Sequence, residues 1–269
     1  MNRYHTMFSR LEQEKAGAFI PFVTIGDPNL DQSYTIIRTL ILAGADALEL
    51  GLPFSDPIAD GPTIQAANIR ALSQPTSTQA CLDLVARIRE EFPELPIGLL
   101  LYSNLIVAKG INHFYRIAKQ AGVDSVLIAD VPIRESKPFR LAAKEAGIAP
   151  VFIVAPNVKD ETLRQIASYG RGYTYLLSRV GVTGAETQAQ APASDMIDRL
   201  KLYGAAPAVL GFGISSPEQV AQALESGAMG AISGSAVVNI IEQHLGDKDA
   251  MLEALARFVF EMKSATSST

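Results

Sequence analysis

One cysteine, three scattered histidines and no large charge of either sign set the first limits on this chain. Cys81 alone allows no intramolecular disulfide and fits a reducing compartment. His5, His113 and His244 are far apart in the sequence and, with one cysteine, compose no metal site. The net charge is −5 over 269 residues with no long basic run, which argues against nucleic acid or an anionic membrane as partner. No apolar run is long enough to span a bilayer, and residues 1–17, MNRYHTMFSRLEQEKAG, are polar and periodic, unlike a signal peptide. A cytoplasmic protein is the expectation. Any phosphate it binds must be held by backbone dipoles and a few local groups.

What the chain does have is a large apolar fraction, 48%, against 19% charged residues. Eight short runs rich in Val, Ile, Leu and Ala recur: 18–25, 47–51, 97–102, 125–130, 149–155, 173–178, 208–213 and 230–235. Each is nearly all apolar and bounded by Gly, Pro, Asp or Ser, as parallel strands covered on both faces require. Amphipathic helical segments separate them; in the one at 30–45, apolar residues fall at Ile36, Ile37, Leu40 and Ile41 before Gly44. No Pro/Ser linker or composition break interrupts the series, and the length is close to the roughly 250 residues of one barrel. The expectation is therefore a single domain over 1–269, a (β/α)₈ TIM barrel with an extra N-terminal helix (2–14) and an extra C-terminal helix (248–264). The first of these is placed to plug the barrel's N-terminal mouth. An open doubly wound sheet would carry a Gly-x-Gly-x-x-Gly turn after its first strand; here that turn reads TIGDPN. Two strand-to-helix connections, 52–61 and 179–192, are longer than the rest, and in a barrel both lie on the C-terminal face, where active sites form.

Glu49 is the most unusual residue. It interrupts the apolar strand Ala47-Leu48-Glu49-Leu50-Gly51, and alternation sets it opposite Leu48 and Leu50. If the leucines face the helices, Glu49 points into the barrel, partly desolvated, with its pKa raised toward general acid–base values. The competing reading is a structural glutamate bonded to a core hydroxyl such as Tyr102. Asp60, in PFSDPIADGPTIQ, serves equally as a second catalytic carboxylate or as the cap of a helix opening near Gly61-Pro62. Asp56 reads as a turn residue before Pro57. Asp130 fits the catalytic rim or a turn before Val131-Pro132. Tyr175 could present its hydroxyl to the lumen or pack as core. GFGISSPEQ (211–219) and GAISGSAVV (230–238) each follow a strand and open a helix, the first with Ser215 and Glu218 at capping-box spacing. Glycine lets backbone approach a ligand, and the loops after strands seven and eight are the recurrent phosphate site of this architecture. Gly181 and Gly184 give 178–189 the composition of either a lid or a plain flexible connection. Phe22, Leu100, Leu127, Ile153 and Phe212 are candidates for the wall of a pocket for a flat ring.

Taken together, PFVTIGDP (21–28), GADALELGLPFSDPIADGPTIQ (44–65), GVDSVLIADVP (122–132), ASYGRGYTYLLSRVGVTG (167–184), GFGISSPEQV (211–220) and GAISGSAVV (230–238) resemble the tryptophan synthase alpha chain family. The resemblance runs through nearly the whole chain and is most specific around Glu49 and Asp60. It implies a retro-aldol lyase that splits indole-3-glycerol phosphate into indole and glyceraldehyde 3-phosphate in tryptophan biosynthesis. It also implies an αββα assembly with beta chains and indole passed through a tunnel; pyridoxal phosphate belongs to the partner, and this chain needs no cofactor. By the same resemblance Glu49 is the general acid–base, Asp60 assists at the indole nitrogen and Tyr175 borders the substrate. Gly184, Gly213, Gly234 and Ser235 are the implied phosphate site, and Phe22, Leu100, Leu127 and Phe212 the pocket wall. Loop 52–61 with Asp56, and the lid residues Arg179 and Thr183, are implied in communication with the partner. Val180 departs from the small residue usual after Arg179.

Two other readings stand beside this one. A Schiff-base aldolase or another phosphate-binding barrel enzyme is possible in principle, but the former needs a lysine inside the barrel and none of the eight strand runs contains one. A catalytically idle chain that only activates a beta subunit is the second.

Overall fold

The computed structural model describes residues 2–177 and 193–267. Eight strands form a closed parallel barrel in chain order: β1 (Ala18–Thr24), β2 (Leu48–Gly51), β3 (Ile97–Leu101), β4 (Ser125–Ile128), β5 (Ala149–Val154), β6 (Thr174–Leu177), β7 (Ala208–Gly211) and β8 (Gly230–Ser233). Closure is made by β8 on β1, with Ala18 opposite Gly230 and Pro21 opposite Ser233. The described helices are α1 (Arg3–Gln13), α2 (Leu30–Leu42), α3 (Pro62–Leu72), α4 (Thr78–Glu91), α5 (Ser103–Val107) and α6 (Ile111–Gln120). They continue with α7 (Lys137–Ala146), α8 (Asp160–Tyr169), α9 (Ala193–Leu202), α10 (Pro217–Glu225), α11 (Ser235–Gln243) and α12 (Lys248–Ser264).

Local chemistry sets the helix ends. The Asn29 side chain accepts from the Gln32 backbone N–H to start α2, and Ser77 and Asp247 do the same for α4 and α12. Several strand runs stop short of the sequence expectation; 125–130, for example, pairs only to Ile128, and the last two residues turn into the connection.

Alternation along the strands divides the core in two. Outward residues such as Val23, Leu48, Leu50, Leu99 and Val126 pack on the helices. Inward residues such as Ile20, Phe22, Leu127, Val151, Tyr175 and Ile232 fill the lumen. Each fully buried side chain of this kind contributes roughly 1.5–3 kcal/mol. Helix α1 closes the lower mouth as the periodicity of 2–14 predicts: Tyr4, Met7, Phe8 and Leu11 are buried and join the lumen cluster. Tyr4 and Ser125 of β4 share a hydrogen bond of 2.8 Å. At the same end Lys263 of α12 donates to Asp46 Oδ2 at 2.7 Å, tying the C-terminal helix beneath β2. The lower end is thereby filled, which leaves the upper end open for a ligand.

Candidate active site

Glu49 projects into the lumen. Leu48 and Leu50 belong to the helix-facing core, and the carboxylate between them is 1% exposed. Its partner is Tyr173, whose hydroxyl donates to Glu49 Oε1 at 2.6 Å. Tyr102, the hydroxyl suggested by sequence, is engaged elsewhere. Tyr173 and Tyr175 are two apart on the segment entering β6, so both rings turn inward; that period was the available signal. The Tyr173 ring lies 5.5 Å from that of Tyr4, which continues the contact down to α1. Burial pushes the Glu49 pKa up to about 7, and the Tyr173 hydrogen bond opposes the rise.

Asp60 ends the connection from β2 to α3. It does not cap the helix: the N-cap is Gly61, with no side-chain cap, and Pro62 takes the first helical position. The Asp60 carboxylate instead accepts from the Tyr102 hydroxyl and from Asn68 Nδ2, the latter at 3.4 Å. The Ala59 N–H donates to the same tyrosine oxygen at 3.0 Å, and the Phe54 ring stacks on the Tyr102 ring at 5.3 Å. Burial raises the Asp60 pKa to about 6 against the pull of those two hydrogen bonds.

Both carboxylates open on one cavity of about 690 Å³ at the top of the barrel. Phe22, Leu100, Ile153 and Phe212 form apolar wall, together with Ile64 and Ile232, which sequence reading did not single out. Leu127 is a correction. It is buried in the lumen core between Leu100 and Val151, and the next inward position of that segment, Ala129, reaches the cavity instead. Tyr175 lines the cavity, and burial with the nearby Glu49 and Asp60 charges drives its hydroxyl pKa well up. Its ring crosses Gly211, where an added Cβ would sit 2.3 Å from the phenol oxygen.

The opposite wall is backbone. Phe212 and Gly213 both have left-handed φ, +74° and +76°. For a bulky residue such as Phe212 this is strained, by about 1–3 kcal/mol, and strain of this kind gathers at ligand sites. The capping box here is Ser216 with Gln219, one residue beyond the Ser215–Glu218 spacing, because α10 starts at Pro217. Gln219 Oε1 accepts from the N–H groups of Ser215 and Ser216 at 2.7 and 3.1 Å, so this helix start is satisfied internally. Helix α11 differs. Its N-cap is Gly234, no side chain caps it among the described residues, and Gly234, Ser235 and Ala236 line the cavity. Free N–H groups at a helix start attract an anion.

The other candidates are placed apart. Asp130 accepts from the N–H and hydroxyl of Ser103, both at 2.8 Å, and so fixes the start of α5 outside the cavity wall. Asp56 is exposed at the tip of loop 52–61 and accepts from Ser55 Oγ at 2.5 Å. Arg179, Val180, Thr183 and Gly184 lie outside the described residues.

The sequence profile of the family described as Tryptophan synthase alpha chain matches residues 8–267. The chain is 60% identical over 266 residues to the tryptophan synthase alpha chain of Vibrio vulnificus (strain YJ016), covering 99% of each. It is 58% identical over 268 residues to that of Escherichia coli (strain SMS-3-5 / SECEC), covering 100% of each. Tryptophan synthase subunit alpha from Legionella pneumophila str. Paris superposes with a TM-score of 0.89 at 31% identity, over 99% of this chain and 98% of that one. A chain of the tryptophan synthase a2b2 complex from the hyperthermophile Pyrococcus furiosus superposes at 0.83 with 38% identity, over 92% and 98%. A lumen-facing glutamate, an apolar cavity and a helix start that no described side chain caps therefore sit in a chain that belongs to the tryptophan synthase alpha chain family.

Proposed function

We propose that Glu49 carries both proton transfers by which this lyase cleaves indole-3-glycerol phosphate. The observation that supports it is one buried carboxylate opening on the same cavity as a second, Asp60, with a helix start that no described side chain caps on the far wall. The bond between indole C3 and the glycerol carbon breaks once C3 has taken a proton and the ring can accept the electron pair. Glu49, protonated, gives that proton. As carboxylate it then takes the proton of the adjacent glycerol hydroxyl, whose oxygen becomes the aldehyde of glyceraldehyde 3-phosphate. The pair from the broken bond returns to the ring and gives neutral indole, so Glu49 ends as it began. A pKa near 7 keeps both forms populated at neutral pH.

Asp60 as an anion faces the positive charge that develops at the indole N–H. Phe22, Leu100, Ile153 and Phe212 hold the flat ring, and Tyr175 borders it. The phosphate is assigned to the α11 start at Gly234 and Ser235 with Gly213 beside it. Gly184 joins that anchor, and Arg179 and Thr183 the lid, on family resemblance alone. Each positioned acid–base group typically supplies on the order of 10²–10⁴-fold, so orientation by the phosphate must add to it.

The family works with a beta subunit, and we assign this chain to an αββα assembly. Ile58, 82% exposed on loop 52–61, and Val107 on α5, 55% exposed, present apolar surface for that partner. The purified chain should release indole from indole-3-glycerol phosphate, faster when a beta chain is added. No indole under either condition favours the idle activator instead.

A further inference from the structure

We propose that Asn68 is a positioning residue for the cleavage reaction, holding the two ends of loop 52–61 so that the Asp60 carboxylate stays over the cavity. The inference rests on the reading of Asp60 given above.

The inner stripe of α3 is Ile64, Ala67, Asn68 and Ala71. An amide in such a stripe is costly unless its hydrogen bonds are made. Asn68 is 5% exposed, and its amide is engaged on both sides. Oδ1 accepts from the Phe54 N–H at 3.0 Å, at the start of the loop. Nδ2 donates to the Ile64 carbonyl at 2.9 Å and to Asp60 Oδ2 at 3.4 Å, at the loop's end. The three partners fix the orientation of the amide. A backbone N–H can only donate, while a carbonyl and a carboxylate oxygen can only accept, so the reversed amide would fail at every contact.

Asn68 does not itself line the cavity, so it acts through Asp60. The far side of α3 supplies the rigid base. Arg70 donates to both oxygens of Asp27 at 2.8 and 2.9 Å, and to Glu242 of α11 at 3.1 Å. The Asp27 side chain is fully buried, so this pair seats α3 on the β1–α2 connection. Through Arg70 and Asn68, then, the second carboxylate is held in fixed relation to the helix assigned to the phosphate.

The loss of Asn68 releases the Phe54 N–H at the start of the loop and removes one of the two donors that favour the Asp60 anion, leaving Tyr102 as the other. The test uses Asn68→Leu, Asn68→Asp, Asp60→Asn and the double variant Asp60→Asn/Asn68→Leu. Indole formation is followed across roughly pH 5 to 9, with glycerol 3-phosphate binding as a check on the phosphate end. Both Asn68 variants should bind glycerol 3-phosphate within about twofold of the parent while kcat falls roughly tenfold or more, the scale of a small misplacement. The acid limb of kcat should move to higher pH, further in Asn68→Asp, which sets a like charge against Asp60. In the Asp60→Asn background the Asn68→Leu loss should shrink to about twofold or less.

An unmoved acid limb, with an equal loss in both backgrounds, would overturn the proposal and leave Asn68 a purely structural residue. Should Asn68→Leu fail to fold, Asn68→Asp keeps an acceptor for Phe54 and carries the same readouts. Parental kinetics in the Asn68 variants beside a crippled Asp60→Asn sink this inference alone. An Asp60→Asn enzyme at the parental rate sinks the Asp60 reading as well.

Discussion

The Tyr173 hydroxyl and Glu49 Oε1 are 2.6 Å apart, a short hydrogen bond inside a lumen filled mostly by apolar side chains. The two residues are set 124 positions apart in the chain and meet because β2 and β6 both face the barrel axis. The tyrosine lowers the cost of the glutamate anion, and burial raises it. Burial prevails.

That balance predicts the pH behaviour of Tyr173→Phe. With the donor gone the anion loses its partner, so the Glu49 pKa rises above about 7. The limb of the kcat profile that reports Glu49 should move to higher pH, with glycerol 3-phosphate binding little changed. A profile superimposable on the parent's assigns Glu49 a different governing partner.

Stability should respond in a fixed direction. The folded-state pKa of Glu49 lies above its ordinary 4.5, at about 7. Its contribution is therefore fully present below pH 4.5 and is lost as pH rises through about 7. A rise from 4.5 to about 7 corresponds to a penalty on the order of a few kcal/mol once the group ionises. Glu49→Gln never incurs it. Urea midpoints of the two proteins should diverge in favour of Glu49→Gln between mildly acid and mildly alkaline pH. A gap that is constant or narrows contradicts a buried carboxylate with a raised pKa.

Gly211→Ala tests the packing of the cavity wall. The new methyl would lie 2.3 Å from the Tyr175 phenol oxygen, so the ring must leave its place. Overpacking of this kind costs about 1–3 kcal/mol, and kcat/KM for indole-3-glycerol phosphate should fall with it. An unchanged kcat/KM removes Tyr175 from the substrate's border.

The architecture was legible because a buried parallel strand leaves a strong trace. Eight apolar runs gave eight strands, and the interruption at Glu49 gave the inward carboxylate with its direction. What failed were relations across the barrel. Alternation tells which face Tyr102 or Tyr173 occupies, but not which hydroxyl reaches Glu49 from another strand. The capping box slipped by one residue because Ser215 and Ser216 are both acceptable caps, and only the start at Pro217 decides. Asp60 before Gly61-Pro62 reads equally as a cap or a catalytic carboxylate; the glycine takes the cap position and leaves the carboxylate to Tyr102 and Asn68. The trace of Asn68 in the sequence is a polar amide on the inner stripe of a helix. Gly184, Arg179 and Thr183 rest on resemblance to the family.

Turnover of indole-3-glycerol phosphate by Glu49→Gln, measured beside glycerol 3-phosphate binding to the same protein, bears most directly on the chemistry proposed. Glutamine keeps the size and a hydrogen bond to Tyr173 but cannot pass a proton. Indole formation should drop by about 10²-fold or more while the phosphate ligand binds as tightly as to the parent. Indole released at near the parental rate would take Glu49 out of the reaction.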